Sequence, residues 1–209
     1  MKIILLLQQG CPRIVGFDLV MASILANRGH EVSLLGCGLA LPACDCTDIG
    51  SGITFGKSCQ DPRPLTVARN VGYNLPMLRR WVTPEMYPAV QEAASVPYGL
   101  SDILAYQGDY LYLGEMAFQS WRLYHHAVMP SQDEAEWVTP TIRDFLASAI
   151  LLSWLYPKVL DELQPDILWT LNGRYTRQRI PCELMLAAGK RYESYDMDGD
   201  RFHFHINQP

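Results

Sequence analysis

Three consecutive residues at the end of an apolar run combine the side chains and the position that ligand binding requires. The run spans Ile167–Leu171 and is followed by Asn172, Gly173 and Arg174. The forked donors of an arginine bind phosphate or carboxylate groups, and an asparagine amide can hydrogen-bond a hydroxyl group. The alternative is an ordinary surface turn, because Asn-Gly is a common turn pair. The position after a strand favours a binding site.

The pattern around this run predicts a strand that is buried on both faces. Its residues are continuously apolar, and Pro165 and Asp166 punctuate the chain before it. Loops that leave the carboxyl ends of such strands form the ligand crevice of open α/β sheets. We therefore expect Asn172, Gly173 and Arg174 to line a crevice at this edge of the sheet.

The first 36 residues predict a second part of the same edge. Residues 2–8 are predicted as a strand, residues 17–25 carry apolar side chains at helical spacing, and residues 32–35 are predicted as the next strand. A β-α-β unit of this kind has a right-handed crossover. The loop that leaves its first strand begins with Gln9 and Gly10, which we expect to lie in the crevice.

Three aspartates are candidates to add carboxylates to the site. Asp18 is predicted in the first turn of the first helix, where a negative charge suits the helix dipole. Asp196 and Asp198 are predicted to lie beyond a strand at residues 191–195. Because this strand follows the apolar run and a helix, both aspartates are expected at the ligand edge.

The order of the elements predicts an α/β fold. We expect one Rossmann-like domain over residues 1–209, with a largely parallel sheet flanked by helices. Residues 36–64 are predicted as an irregular cysteine-containing loop, and residues 65–163 as a helical insertion. No G-x-G-x-x-G follows the first strand and no G-x-x-x-x-G-K-[ST] occurs, so neither dinucleotide nor P-loop phosphate binding is supported.

Local signals set expectations for the helix ends. Ser101 is predicted to cap the N-terminus of a short helix, and Thr139 or Thr141 to open the longest one. Pro157 is predicted to kink that helix or to divide it. Pro181 is expected in the first turn of the last helix, where a missing N–H does no harm.

Composition excludes several classes of protein. The 209 residues have a formal net charge of -5 and 19% charged residues, so no basic footprint for nucleic acid is present. No apolar segment is long enough for a bilayer span, and the apolar N-terminal run lacks a signal-peptide cleavage site. We expect a soluble cytoplasmic protein. Arg79, Arg80 and Trp81 allow at most peripheral contact with a membrane.

Four cysteines in the irregular loop form a candidate zinc site. Cys37, Cys44, Cys46 and Cys59 follow the spacing C-x6-C-x-C-x12-C. Tetrahedral zinc binds clustered thiolates, and four protein ligands would make the metal structural. The spacing lacks the paired C-x2-C elements of common zinc sites, so unligated cysteines or one redox-linked pair remain the alternative. No other cofactor is predicted.

Several motifs occur in an order that resembles a known family. These motifs are G-H-E-V-S-L-L-G-C-G-L-A-L-P-A-C (29–44), Y-L-G-E (112–115), P-D-I-L-W-T-L-N-G-R (165–174), R-Q-R-I-P-C-E-L-M-L-A-A-G (177–189) and Y-D-M-D-G (195–199). In this order they are similar to the N-terminal half of bacterial surface-polysaccharide, or capsule-type, glycosyltransferases of the two-domain GT-B architecture.

The resemblance implies a reaction and its partners. Sugar would pass from a nucleotide-sugar to a glycan acceptor, with this domain holding the acceptor and a second Rossmann-like domain or chain holding the donor. The sequence departs from that plan by ending at Pro209, so we expect a fragment, a subunit of a split enzyme or an acceptor-binding domain. Glu115 is the leading candidate for the general base and Asp18 a weaker one.

Two other functions fit the same architecture. One is a non-catalytic α/β module, stabilised by zinc, that recognises a glycan or nucleotide-sugar together with a partner chain. The other is half of a nucleotide-sugar epimerase. A fold alone does not choose among these functions.

Overall fold

The computed structural model describes most of the chain. The described residues are 1–8, 12–38, 40–43, 63–109, 111–125, 135–198 and 201–207. Within the irregular loop the sequence also favours a short strand at residues 53–55, which lies outside the described residues.

The centre of the structure is a five-stranded, mostly parallel sheet with the strand order β2-β1-β3-β4-β5. The first four strands are mutually parallel, and β5 pairs with β4 in the antiparallel direction. The strands are β1 (Lys2–Leu6), β2 (Glu31–Leu35), β3 (Ile167–Leu171), β4 (Arg191–Asp198) and β5 (Arg201–Asn207). The sheet and its flanking helices confirm the α/β class and agree with a Rossmann-like arrangement.

Helices cover both faces of the sheet. Helix α1 connects β1 to β2, and α7 connects β3 to β4. Between β2 and β3, the part of the chain that the structure describes contains five helices. The bounds of the helices are α1 (Pro12–Asn27), α2 (Arg63–Asn70), α3 (Met86–Ser95), α4 (Leu100–Leu104), α5 (Leu113–His125), α6 (Ala135–Leu163) and α7 (Thr176–Ala187), with a 3-10 turn at Leu78–Trp81.

Strand β3 has the bounds predicted from its apolar run. Four of its five residues are buried, because β1 and β4 flank it and helices cover both of its faces. The sequence also predicts Gly29 as the C-terminal cap of α1, and the structure confirms it. Gly29 has a φ of +83°, and its N–H donates to the carbonyl of Ala26 at 2.9 Å, which ends the helix in the left-handed region that glycine tolerates.

Two apolar layers enclose the sheet, and alternate residues of β1 belong to each. Ile4 and Leu6 contribute to the layer that contains Trp121 of α5 and Tyr156 of α6. Leu5 contributes to the opposite layer, together with neighbouring strands and helix α1. Because side chains alternate across a strand, all five apolar residues of 3–7 are buried, some in one layer and some in the other.

Two expected helix starts were wrong, and the division that was one alternative at Pro157 does not occur. Ser101 lies inside α4, and Gly99 is the N-cap residue, whose N–H donates to the carboxylate of Asp102 at 3.2 Å. Helix α6 begins before Thr139, at Ala135, and continues past Pro157 without division. Packing of its apolar surface against α3, α5 and α7 outweighs the cost of the proline.

Pro181 is the sixth residue of α7 and not in its first turn. A proline here leaves the carbonyl of Arg177 without its helical donor. The hydroxyl of Tyr156 donates to that carbonyl at 2.9 Å. A side chain from α6 therefore supplies the bond that the proline cannot make, and α7 continues.

Candidate functional site

The turn that leaves β3 uses the side chain of Asn172 to hold its own shape. Asn172 and Gly173 have φ values of +34° and +68°, in the left-handed region that asparagine and glycine tolerate best. The N–H of Arg174 donates to Oδ1 of Asn172 at 3.0 Å, and the N–H of Asn172 donates to the carbonyl of Tyr195 at 2.6 Å. The turn is thus fixed to β4, and Arg174 has a defined starting direction.

Arg174 and Asp196 form an ion pair across the carboxyl ends of β3 and β4. The guanidinium donates to Oδ2 of Asp196, and the two side chains are 65% and 31% exposed. A forked donor beside a carboxylate in open solvent can exchange its partner for an anionic ligand at small cost. The structure therefore brings together two residues that were predicted separately.

The predicted position of the two aspartates beyond the strand was wrong. Asp196 and Asp198 both belong to β4, where Asp196 pairs with His203 and Asp198 with Arg201 of β5. The strand is longer than predicted because its antiparallel partner extends the hydrogen-bonded ladder. Asp196 nevertheless lies at the carboxyl end of its strand, as the expected crevice requires.

Glu115 lies at the start of α5, next to the start of α7. Its carboxylate is 3.3 Å from Nη1 of Arg179, and its side chain is 50% exposed. Hydroxyl bonds hold the two helices together, because Ser120 donates to Thr176 at 2.8 Å and Thr176 donates to the carbonyl of Met116 at 2.8 Å. Glu115 is thus solvent-accessible, and an arginine orients it.

Asp18 lies in the interior. It is the seventh residue of α1, so its prediction in the first turn was wrong. The side chain has no exposed surface. Tyr195 donates its hydroxyl to Oδ1, and the N–H of Gln8 donates to Oδ2 at 3.2 Å. The carboxyl group therefore joins the end of β1 to α1 and to β4.

Burial dominates the ionisation of Asp18. Loss of solvation raises its pKa from 3.8 to about 7, although the bonds from Tyr195 and Gln8 and the charge of Arg177 all act to lower it. A carboxyl group with such a pKa can take up or release a proton near neutral pH. Its side chain is fully enclosed. Its role as a catalytic base stays a prediction.

A buried polar network that the sequence did not predict lies around this aspartate. Arg177 donates through Nη2 to the carbonyl of Leu7 at 3.0 Å and to Oε1 of Gln8 at 2.5 Å. Gln178 donates to the same oxygen at 3.0 Å. Three polar residues, Gln8, Arg177 and Gln178, are each at most 3% exposed. The available signal was a polar residue at each strand exit, with Gln8 after β1 and T-R-Q-R after β3.

The buried network and the exposed ion pair are formed by neighbouring residues of the chain. Tyr195, which bonds Asp18, is the neighbour of Asp196 in β4, and Arg177 follows Arg174 by three residues. Alternate side chains of a strand point to opposite faces, so β4 sends one residue inward and the next outward. The same edge of the sheet therefore carries an exposed ion pair and, next to it in the chain, a buried polar network.

Several predicted site residues are not placed. Gln9, Gly10, Cys44, Cys46 and Cys59 lie outside the described residues. Cys37 is described and buried. Within the described ranges, no group of three or more His, Cys, Asp and Glu side chains could hold a metal ion. The four-cysteine zinc site therefore stays a prediction.

Comparison with known proteins adds no family. No family model matches the chain, and no curated protein sequence matches it significantly. None of the described helices combines the length and hydropathy that a bilayer span requires.

Proposed function

We propose that this chain is the acceptor-side domain of a glycosyltransferase that transfers sugar from a nucleotide-sugar to a bacterial surface polysaccharide. The observation that supports it most is the meeting of Arg174 and Asp196 at the carboxyl ends of β3 and β4. Open α/β sheets bind their ligands at this edge. The order of the capsule-type motifs supplies the reaction class, and a GT-B architecture goes with it.

In this proposal, Arg174 exchanges Asp196 for a phosphate of the nucleotide-sugar. The donor is held mainly by a second Rossmann-like domain or chain that faces the crevice. The turn at Asn172 and Gly173 fixes where the arginine starts, so its guanidinium loses less freedom on binding.

Glu115 is the general base of the proposed reaction. Glycosyl transfer needs a group that takes the proton of the acceptor hydroxyl. Glu115 is half exposed, and the guanidinium of Arg179 lies 3.3 Å from its carboxylate. The arginine holds the carboxylate through Oε1 and leaves the other oxygen for the acceptor.

A non-catalytic module that binds a glycan or nucleotide-sugar with a partner chain is the second candidate. One observation favours it, because both carboxylates of the exposed edge, Glu115 and Asp196, are already paired with arginines. In that case Arg174 still binds the ligand, but Glu115 has no chemical role. Half of an epimerase has no comparable support.

The binding step is tested with Arg174→Ala and a panel of UDP-glucose, GDP-mannose and CMP-sialic acid, measured by isothermal titration calorimetry. We expect at least one sugar nucleotide to bind, and Arg174→Ala to weaken it about tenfold, as for a lost charge-assisted bond. Stability should change by less than about 1 kcal/mol because the pair is exposed. Arg80→Ala is the matched control, since Arg80 pairs with Glu162 and the two are 60% and 42% exposed.

Equal affinity of wild type and Arg174→Ala would contradict the crevice assignment. Glu115→Gln separates the two candidate functions. The glycosyltransferase requires that this variant keep its affinity for the sugar nucleotide and lose transfer. A non-catalytic binding module requires that wild type and variant bind the sugar nucleotide equally and that neither transfers sugar.

A further inference from the structure

A cleft that glycosyl transfer does not use lies between α5 and α6. Its volume is about 320 Å³. Tyr124 and His125 of α5 form one wall, Asp144 and Phe145 of α6 form the other, and residues 42–43 close a third side. This volume is within the range of small-molecule sites, about 300 to 1,000 Å³.

The aromatic rings that line the cleft pack against one another. The rings of Tyr124 and Phe145 have centroids 5.7 Å apart, and the Tyr124 ring meets the His125 ring edge-on at 4.7 Å. Behind them, Trp121 is fully buried and donates its Nε1–H to Thr141 at 2.9 Å. The wall therefore presents ring surface whose position is set by packing and by a hydrogen bond.

Asp144 gives the cleft its charge. Its carboxylate has no hydrogen bond or ion pair with any residue that the structure describes. Among the residues that the structure describes, none that lines the cleft is a lysine or arginine. Burial lowers the pKa of His125, so this ring is neutral at pH 7, and partial burial raises the pKa of Asp144. A cation in the cleft would offset that cost, whereas a phosphate would add to it.

We infer that this cleft binds a small organic cation, with the ammonium group at the carboxylate of Asp144 and the carbon body against the rings of Tyr124 and Phe145. Aromatic faces attract cations through the ring quadrupole, and the attraction grows as water is excluded. A carboxylate and two rings on facing helices supply both halves of such a site.

The cleft is separate from the crevice at β3 and β4, but it lies close to the buried polar network that contains Arg177. Ala43 and Phe145 also line a small interior cavity of about 10 Å³, whose other side includes Thr176 and Arg177. A ligand against Phe145 is therefore one layer of side chains away from the buried arginine.

The inference is tested with benzylamine, benzyl alcohol and benzoate as probes at pH 7.5. Binding is followed by the NMR shift of the His125 ring protons, because His125 lines the cleft. We expect benzylamine to bind about tenfold more tightly than its neutral analogue, as for a hydrogen bond to a charged group, and benzoate to cause no shift. Tetramethylammonium should compete with benzylamine.

Two substitutions, each with a control, test the carboxylate and the aromatic ring of the site separately. Asp144→Asn should reduce benzylamine affinity to that of benzyl alcohol, whereas Asp161→Asn, an exposed aspartate of the same helix, should not. Tyr124→Leu should weaken both probes, whereas Tyr98→Leu, at a tyrosine that is 92% exposed, should change neither. The inference is overturned if benzyl alcohol binds as tightly as benzylamine, if Asp144→Asn binds like wild type, or if 20 mM benzylamine, roughly the weak limit for a fragment, shifts no His125 signal.

Discussion

Replacing Asp18 by asparagine should change how the stability of the protein depends on pH. In the unfolded chain the carboxyl group titrates near 3.8, and in the folded protein burial raises the pKa to about 7. Below pH 3.8 both states hold the proton. Between the two values the folded state binds a proton that the unfolded state has lost, so the free energy of unfolding falls as the pH rises.

The size of the effect follows from the difference between the two pKa values. About 3 units at 1.36 kcal/mol each correspond to roughly 4 kcal/mol across the window. Asparagine cannot ionise and therefore removes this loss. Its amide places a donor opposite the N–H of Gln8, which now donates to Asp18 at 3.2 Å. At pH 4 we expect that mismatch to cost about 1 to 3 kcal/mol.

The assay is urea unfolding of wild type and Asp18→Asn from pH 4 to pH 8, followed by the fluorescence of the five tryptophans. Relative to wild type, the variant should gain roughly 4 kcal/mol over this range, so it is the less stable protein at pH 4 and the more stable one at pH 8. The same comparison with Asp161→Asn controls for other groups. Tyr195→Phe removes a bond that favours the anion and should move the transition to higher pH. A pH-independent difference between wild type and Asp18→Asn would refute the reasoning.

Two further predictions concern packing and reactivity. A Cβ added to Gly114 would lie 1.7 Å from the carbonyl oxygen of Ile103, so Gly114→Ala should lower the unfolding free energy by about 3 kcal/mol in urea. Gly16→Ala in α1 meets nothing within 4 Å and should raise it by about 0.5 to 1 kcal/mol; a similar effect of both changes would contradict this. Burial raises the pKa of Cys182, so iodoacetamide should modify it only after unfolding, and rapid modification of the native protein would disprove this.

Local signals were sufficient where one segment alone decides the structure. The bounds of β3 follow from an apolar run between Pro-Asp and Asn-Gly, and the end of α1 follows from Gly29. Such features depend on residues close together in the chain. The prediction failed at Pro181 because a contact from another helix decides that position, namely the Tyr156 hydroxyl that accommodates the proline in α7.

The buried network could not be predicted for the same reason. Arg177 and Gln8 are 169 residues apart in the sequence, and each alone has the character of an exposed side chain. Only the adjacency of β1 and β3 brings the two strand exits together. By contrast, Arg174 could be selected because the end of a buried strand already defines which edge of the sheet it occupies.

The central pair of strands has a consequence for how the protein is made. Lys2, the first residue of β1, and Asp166, which precedes β3, are 164 residues apart. They bond each other through main-chain and side-chain groups. At about 5 to 20 residues per second, synthesis takes roughly 8 to 33 seconds to supply the partner of β1. During that time β1 has a bare edge and an apolar surface on both faces, which is the condition for aggregation. The first β-α-β unit is therefore a segment of the nascent chain that stays open to aggregation until β3 has been made.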